Sequence, residues 1–484
     1  MLIIFIAILI AYIVVGTIIA LLSKRYYTKT LQDYFVASYR LGSFLASMTY
    51  AATTYSAFMM VGLVGLTFTY GVVAFGFEII YLFSTIVLLS TIGLEIWRRS
   101  RVNKWISPSD MLRDLYDSNK LGFIVSIVYL IALIPYTSAQ IIGIGEIFKS
   151  ITGNYVIGVL IASVLILLWI VIAGIWSVAS TDAYQGIWML SAGLTTLILL
   201  ILFLIPSSNI SVGEVLNSLT NIEGKNLLGV TWSLTVFLGY SIPWIFFALT
   251  NPQVVQRLYM PRDKKAFRNM VFYFAIFGLL YTVIVTLIGL LYRGYIVLNN
   301  LRDLERELLS NRDSVTPSLL KNFNEFFASY VFISIIAAAV STANSIILTV
   351  ASVIVRELYE RMVKKPVERI SRIVTIISIV VMTILSLTVA LLKPAFIVEL
   401  SVISSVMLLP LAPITILGLY KKKRDGELYA ITSLIMGFAI TLFLSILINP
   451  IRVIRESFIN IPIVMWILIV STIPLIPLII ERKQ

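Results

Sequence analysis

Thirteen times in 484 residues the chain runs predominantly apolar for about 20 residues or more, long enough as a helix to cross a hydrocarbon core of roughly 30 Å. The stretches are approximately 2–22, 42–67, 71–96, 122–147, 155–176, 183–205, 229–250, 270–293, 324–355, 370–393, 396–420, 427–448 and 461–481. The charged fraction is 13%, against 59% hydrophobic residues and a mean hydropathy of +0.99; a soluble domain carries roughly a quarter of its residues charged. The expected fold is all-α and polytopic, with about 13 transmembrane helices in a lipid bilayer.

A net charge of +13 would suit nucleic acid, but the basic residues follow the membrane sorting rule instead. Lys24, Arg25, Lys29 and Arg40; Arg98, Arg99, Arg101 and Lys104; Arg257, Arg262, Lys264 and Lys265; the stretch from Arg356 to Arg372; Lys421 to Arg424; and Arg482 with Lys483 fall on alternate loops. Those loops are expected in the cytoplasm and the less basic loops 206–228 and 294–323 outside, which places a multi-pass protein in the cell membrane with its N-terminus outside and its C-terminus cytoplasmic. No basic residue precedes the first span and Lys24-Arg25 follows it, so it is expected to be a retained helix rather than a cleaved signal. The chain has no Cys and no His, which excludes disulfides, Cys or His metal centres, Ser-His and Cys-His nucleophile pairs and histidine proton relays. It has neither a Walker sequence nor a glycine-rich dinucleotide loop. Secondary transport is expected, not enzymatic catalysis and not nucleic-acid binding.

The ninth stretch carries Ala338-Ala339-Val340-Ser341-Thr342-Ala343-Asn344-Ser345, small and hydroxyl residues where lipid favours Leu and Ile. Positions 338, 341, 342 and 345 share one helix face, so a carbonyl and three hydroxyls could hold one hard monovalent cation without the deep well that carboxylates create. The same run also suits two helices packed closely, with hydroxyls bonded back to their own backbone. In the second stretch, the polar run from Ser47 to Ser56 predicts a break that would offer carbonyls of Ala52 and Tyr55. The seventh holds Gly239-Tyr240-Ser241-Ile242-Pro243-Trp244 and then Thr250-Asn251-Pro252, a second interruption; a plain kink would be the alternative for each. Two interrupted helices five spans apart resemble an inverted-repeat transporter of the LeuT kind. The expected organisation is therefore a peripheral helix and lead-in (1–40), a first five-helix repeat (41–205), a second inverted repeat (229–420) and two peripheral C-terminal helices (421–484).

Asp33-Tyr34-Phe35-Val36-Ala37 with Leu41-Gly42, the run from Ser56 to Gly65, Gln140 through Gly145 with Thr152-Gly153, Gly174-Ile175-Trp176-Ser177-Val178 with Thr181-Asp182 and Gln185, then Asn251-Pro252, Gln256-Arg257 and Ser341 to Ser345 resemble, in order, the sodium:solute symporter family. The resemblance implies a sodium site made by Ala52, Tyr55, Ala338, Ser341 and Thr342, the same set that the spacing suggests. It also implies a second cation at Asp182, Ser341, Asn344 and Ser345, although Asn344 stands where such members carry a hydroxyl; a helix-capping carboxylate is the plainer role for Asp182.

For the solute, the residues singled out are Thr54, Ser56, Met59, Glu78, Tyr81, Tyr240, Trp244, Phe247 and Asn251. Thr54 replaces an acidic residue of proline carriers and Met59 a glutamine of sugar carriers, whereas Trp244 and Pro252 resemble positions near the proline carriers' site. Glu78 is an intramembrane carboxylate, functional by default unless it is hydrated at the outer interface. The leading expectation is sodium-coupled symport of a small organic solute by alternating access, an amino acid such as proline first, by a monomer whose partners are that solute and Na+. Proton-coupled symport of a small organic acid or other solute through the same fold is the alternative; a sensor and a passive channel rank lower.

Overall fold

A computed structural model describes the chain apart from residues 29, 223, 364–365, 421–425 and 481–484 and the side chain of residue 173. Of the charges used for the topology, Lys29, Lys364, Lys365, Lys421 to Arg424, Arg482 and Lys483 therefore lie outside the described residues. Ten described helices are long and apolar enough to cross a membrane, and the bent pairs at 43–70 and 397–420 bring the number to twelve. Between them runs a further path of shorter helices, Leu234–Ile245, Phe247–Thr250 and Pro252–Arg257, in the place of the expected seventh crossing. Polar caps start many helices where the chain leaves a loop: Thr30, Ser118, Asn154, Ser233 and Asp263 each accept an amide hydrogen of the first turn. Large apolar side chains face outward on the peripheral helices, among them Ile3 (83% exposed) and Ile446 (79%), as a lipid-facing surface requires.

The two expected breaks exist, the first at the end of the run from Ser47 to Ser56 and the second just after Trp244 and again at Asn251. Ser43–Thr54 is a regular helix, so Ser47 to Thr54 are helical; the chain opens at Tyr55 (φ −92°, ψ 99°) and continues as a π-helical stretch, Phe58–Leu63, bent by 44°. In the seventh crossing Pro243 stays inside Leu234–Ile245, and the breaks follow at Phe246 (φ −94°, ψ 3°) and Asn251 (φ −83°, ψ 113°). A third bend, of 43°, separates Ile397–Leu408 from Leu411–Tyr420. Pro410 and Pro413 mark it in the sequence.

Glu325–Glu360 is the centre of the molecule: its whole apolar window is buried, against 22% for the first helix. Its run from Ala337 to Ala343 has no large side chain except Val340, which lets Ser43–Thr54, Asn119–Thr152 and Ile175–Leu199 pack directly on it. The loops 206–228 and 294–323 contain short helices, Val212–Ser218, Arg302–Ser310 and Val315–Leu320. Gly174 turns the chain between two crossings at φ +54°, with Tyr34 so close that a side chain there would meet its carbonyl.

Candidate functional site

The first break is closed on one side by side chains and left open on the other. Beyond the break, the Ala57 amide donates to Gln140 Oε1 (3.2 Å) and the Phe58 amide to Ser56 Oγ (3.1 Å), so the start of the second half-helix is satisfied. At the end of the first half-helix the released carbonyls face the central helix. Ser341 Oγ lies 2.8 Å from Ala52 O and 3.0 Å from Ala338 O. Thr342 Oγ1 lies 3.2 Å from both Ala52 O and Thr53 O. Two hydroxyls and the carbonyls of Ala52, Thr53 and Ala338 thus converge, all on fully buried residues. Thr53 O was not foreseen. The Tyr55 amide continues the helix to Ala51 O (2.8 Å) and its ring stacks on Phe274 and Phe277.

A second polar cluster sits one turn further along the same helices. Asp182 is inside Ile175–Leu199, not at a helix start, and its Oδ2 accepts from Thr49 Oγ1 (2.6 Å). Ser345 Oγ is 2.8 Å from Thr53 Oγ1 and accepts from Arg257 Nη2 (2.5 Å). Asn344 does not join them; its amide nitrogen reaches Ile166 O (2.5 Å) and Val340 O (3.2 Å). Arg257, counted in the sequence among loop charges, is 1% exposed, bonded also to Gln253 O (3.1 Å) and within electrostatic reach of Asp182. A guanidinium thus supplies positive charge where a second cation was expected. The adjacent Gln256 is buried as well, bonded to Ser352 and Thr349.

Of the solute candidates, Tyr81, Trp244 and Phe247 come together, and Glu78 lies one turn before Tyr81 on the buried face of Val73–Leu88. Trp244 is at the centre, with ring centroids of Phe58 at 4.7 Å, Tyr81 at 4.9 Å, Phe77 at 5.4 Å and Phe247 at 5.4 Å. Met59 is buried on the π-helical stretch beside Phe58. Thr54 bonds back to Tyr50 O (2.7 Å) and Ser56 holds the Phe58 amide, so their hydroxyls serve the backbone. Asn251 stands at a break, its Nδ2 3.4 Å from Ser405 Oγ and its Oδ1 without a partner. Tyr240 stacks on Trp232 and donates to Glu399 Oε1 (2.6 Å). Glu399, which the sequence did not flag, also takes Arg312 and, at 3.3 Å, Arg455.

The model of the sodium:solute symporter family matches residues 34–437. Two curated relatives are similar: the sodium/pantothenate symporter of Escherichia coli, 29% identical over 40% of this chain and 40% of that protein, and a monocarboxylate transport permease protein of Rhizobium johnstonii, 22% identical over 76% of this chain and 72% of that protein. The chain thus spans about two fifths of the first of these. Among solved structures, a Na+-coupled sialic acid symporter in a substrate-bound outward-open state superimposes with a TM-score of 0.76 at 20% identity, covering 99% of both chains. A manganese transporter of Eremococcus coleocola gives 0.51 at 13% identity over 94% of this chain and 95% of its own. These two likenesses are of fold.

Proposed function

Because the chain belongs to the sodium:solute symporter family, we propose that it couples the downhill entry of Na+ to uptake of a small organic solute by alternating access, with an amino acid such as proline ranked first. The observation that carries this is the meeting of Ser341 and Thr342 with the carbonyls freed at the first break. On binding, Na+ would take the carbonyls of Ala52 and Ala338 and the hydroxyls of Ser341 and Thr342, which turn their protons elsewhere; Thr53 O, or Tyr55 O as the sequence suggested, completes the shell. Neutral oxygens hold such an ion loosely enough for release. The ion ties the broken helix to the central helix, and whatever conformation it favours gains solute affinity in return, since coupling free energies of about 1–3 kcal/mol are reciprocal. The orientation that fits the basic loops has the N-terminus outside, and the repeats begin at the two broken helices.

Uptake into proteoliposomes under a sodium gradient tests the site. Ser341→Ala and Thr342→Ala are each expected to raise the sodium concentration for half-maximal uptake at least tenfold; unchanged sodium dependence in both overturns the assignment. A second reading, proton coupling, draws on Glu78, whose two carboxylate oxygens lack partners among the described residues. Uptake driven by a pH gradient alone, without sodium, would establish it.

A further inference from the structure

Glu78 lies on the buried face of Val73–Leu88, in the row Ala74, Phe77, Glu78, Tyr81, Leu82 and Thr85 that the 3.6-residue period turns inward. It is 0% exposed, and among the described residues it has no ion-pair or hydrogen-bond partner at either oxygen. What surrounds it is aromatic. The phenols of Tyr55, Tyr81 and Tyr136 are within electrostatic reach. Among the described residues the Tyr81 hydroxyl and Trp244 Nε1 have no hydrogen-bond partner. Among the described residues no Arg or Lys pairs with it, and the buried arginines are used elsewhere, Arg257 at Ser345, Arg293 at Glu305 and Arg312 at Glu399.

A lone carboxylate in an apolar interior costs several kcal/mol unless a cation or a proton joins it. Ring faces favour the same kind of guest: a cationic nitrogen over Trp or Tyr gains about 0.5–2 kcal/mol, most when desolvated. An anionic solute meets the opposite, since it would be placed against an uncompensated negative charge with no basic side chain to receive it. Deepening the symport reading on which it rests, we propose that the solute carries a cationic nitrogen, with Glu78 as its counter-ion and Trp244, Tyr81 and Phe247 as its aromatic wall. The chain thereby differs in solute chemistry from relatives named for pantothenate and monocarboxylate.

Matched pairs of compounds that differ in the nitrogen alone provide the test: L-proline against cyclopentanecarboxylate, and choline against 3,3-dimethylbutanol. Each is added to purified wild type, Glu78→Gln and Ser341→Ala in sodium and again in potassium, and the melting temperature is followed with concentration, because ligands of the folded state raise it by mass action. The expected result is sodium-dependent stabilisation by at least one nitrogen-bearing member, at least tenfold tighter than its partner, with that preference lost in Glu78→Gln. Proline as the better ligand identifies a zwitterion and choline a cation. A preference for the carboxylate or the alcohol, no binding by either nitrogen compound, or an undiminished preference in Glu78→Gln overturns the proposal. Sodium alone should stabilise wild type and not Ser341→Ala; that arm reports on the symport reading whatever the solutes do. A Glu78→Gln variant that loses pH-driven uptake while keeping the wild-type nitrogen preference would assign Glu78 to a proton instead.

Discussion

Asp33 is held by four donors at once: the Thr28 amide (2.6 Å), the Thr28 hydroxyl (3.0 Å), Arg40 Nη2 (2.9 Å) and Trp176 Nε1 (3.1 Å). Burial pushes its carboxyl up, but the Thr28 amide, Trp176 and Arg40 more than reverse this and hold it below the ordinary 3.8. A depressed carboxyl stabilises the fold above its unfolded pKa and loses that contribution as the pH falls through the folded value. Asp33→Asn is therefore expected to cost about 1–3 kcal/mol at neutral pH. Thermal melts should give the same gap at pH 7 and pH 5 and a narrowing one only below 3.8; a gap that already closes at pH 5 contradicts the assignment. The sequence made both partners visible, since Asp33 and Trp176 lie in motifs that carry the family resemblance, but not their contact across 143 positions. Arg257 was misread for the same reason. A basic residue at a helix end looks like a loop charge until the fold brings Asp182 and Ser345 to it. Ser341 and Thr342 were legible because their spacing and their place in an apolar helix need no distant partner.

Helix breaks were legible as events and not as positions. Polar runs, glycine and proline announce that a helix will fail, whereas the residue at which it fails depends on what receives the freed groups: Gln140 for Ala57, and Ser341 and Thr342 for Ala52 and Thr53. The bend after Leu408 was passed over inside one apolar stretch, although Pro410 and Pro413 stood in it. How closely elements approach can be tested at two glycines. A methyl on Gly289 of Lys264–Leu298 would fall on Thr67 Oγ1 and on the backbone oxygen of Val64, which cannot yield. On Gly186 it would meet Met48 Cε at 2.6 Å, the free end of a flexible side chain. Overpacking costs about 1–3 kcal/mol, and replacing a helical glycine by alanine returns up to about 1 kcal/mol of propensity. Gly289→Ala should thus lower the melting temperature clearly and Gly186→Ala hardly at all; equal losses would mean that the helices part more easily than their packing indicates.

The proposed alternating access requires that one end of the solute path close while the other opens, and one group of contacts is a candidate for that closure. The segment Arg312 to Thr316 lies over the first broken helix: Thr316 Oγ1 donates to Met60 O, and the Arg312 carbonyl rests on Gly65, where no side chain fits. Arg312 is anchored by Glu399 on Ile397–Leu408, and the same carboxylate takes Tyr240 from the seventh crossing and Arg455 from the loop 449–462. One buried acid therefore ties together four parts of the chain that must separate if this end is to open. Removing one member of such a group leaves the others buried and uncompensated, at a cost of about 3–5 kcal/mol. Glu399→Gln is accordingly expected to favour the state in which Arg312 and Arg455 reach water. Because the chain has no cysteine, a single one placed at Met59 reports on access with no background. Its labelling by a membrane-impermeant maleimide from the outside should be several-fold faster in Glu399→Gln than with Glu399 intact, and sodium should quicken it in both if the ion favours the outward-open form. A rate unchanged by the substitution would mean that the Glu399 cluster holds the helices together without governing the path. A rate unchanged by sodium in either protein would place the ion's effect on the solute site itself and not on the closure.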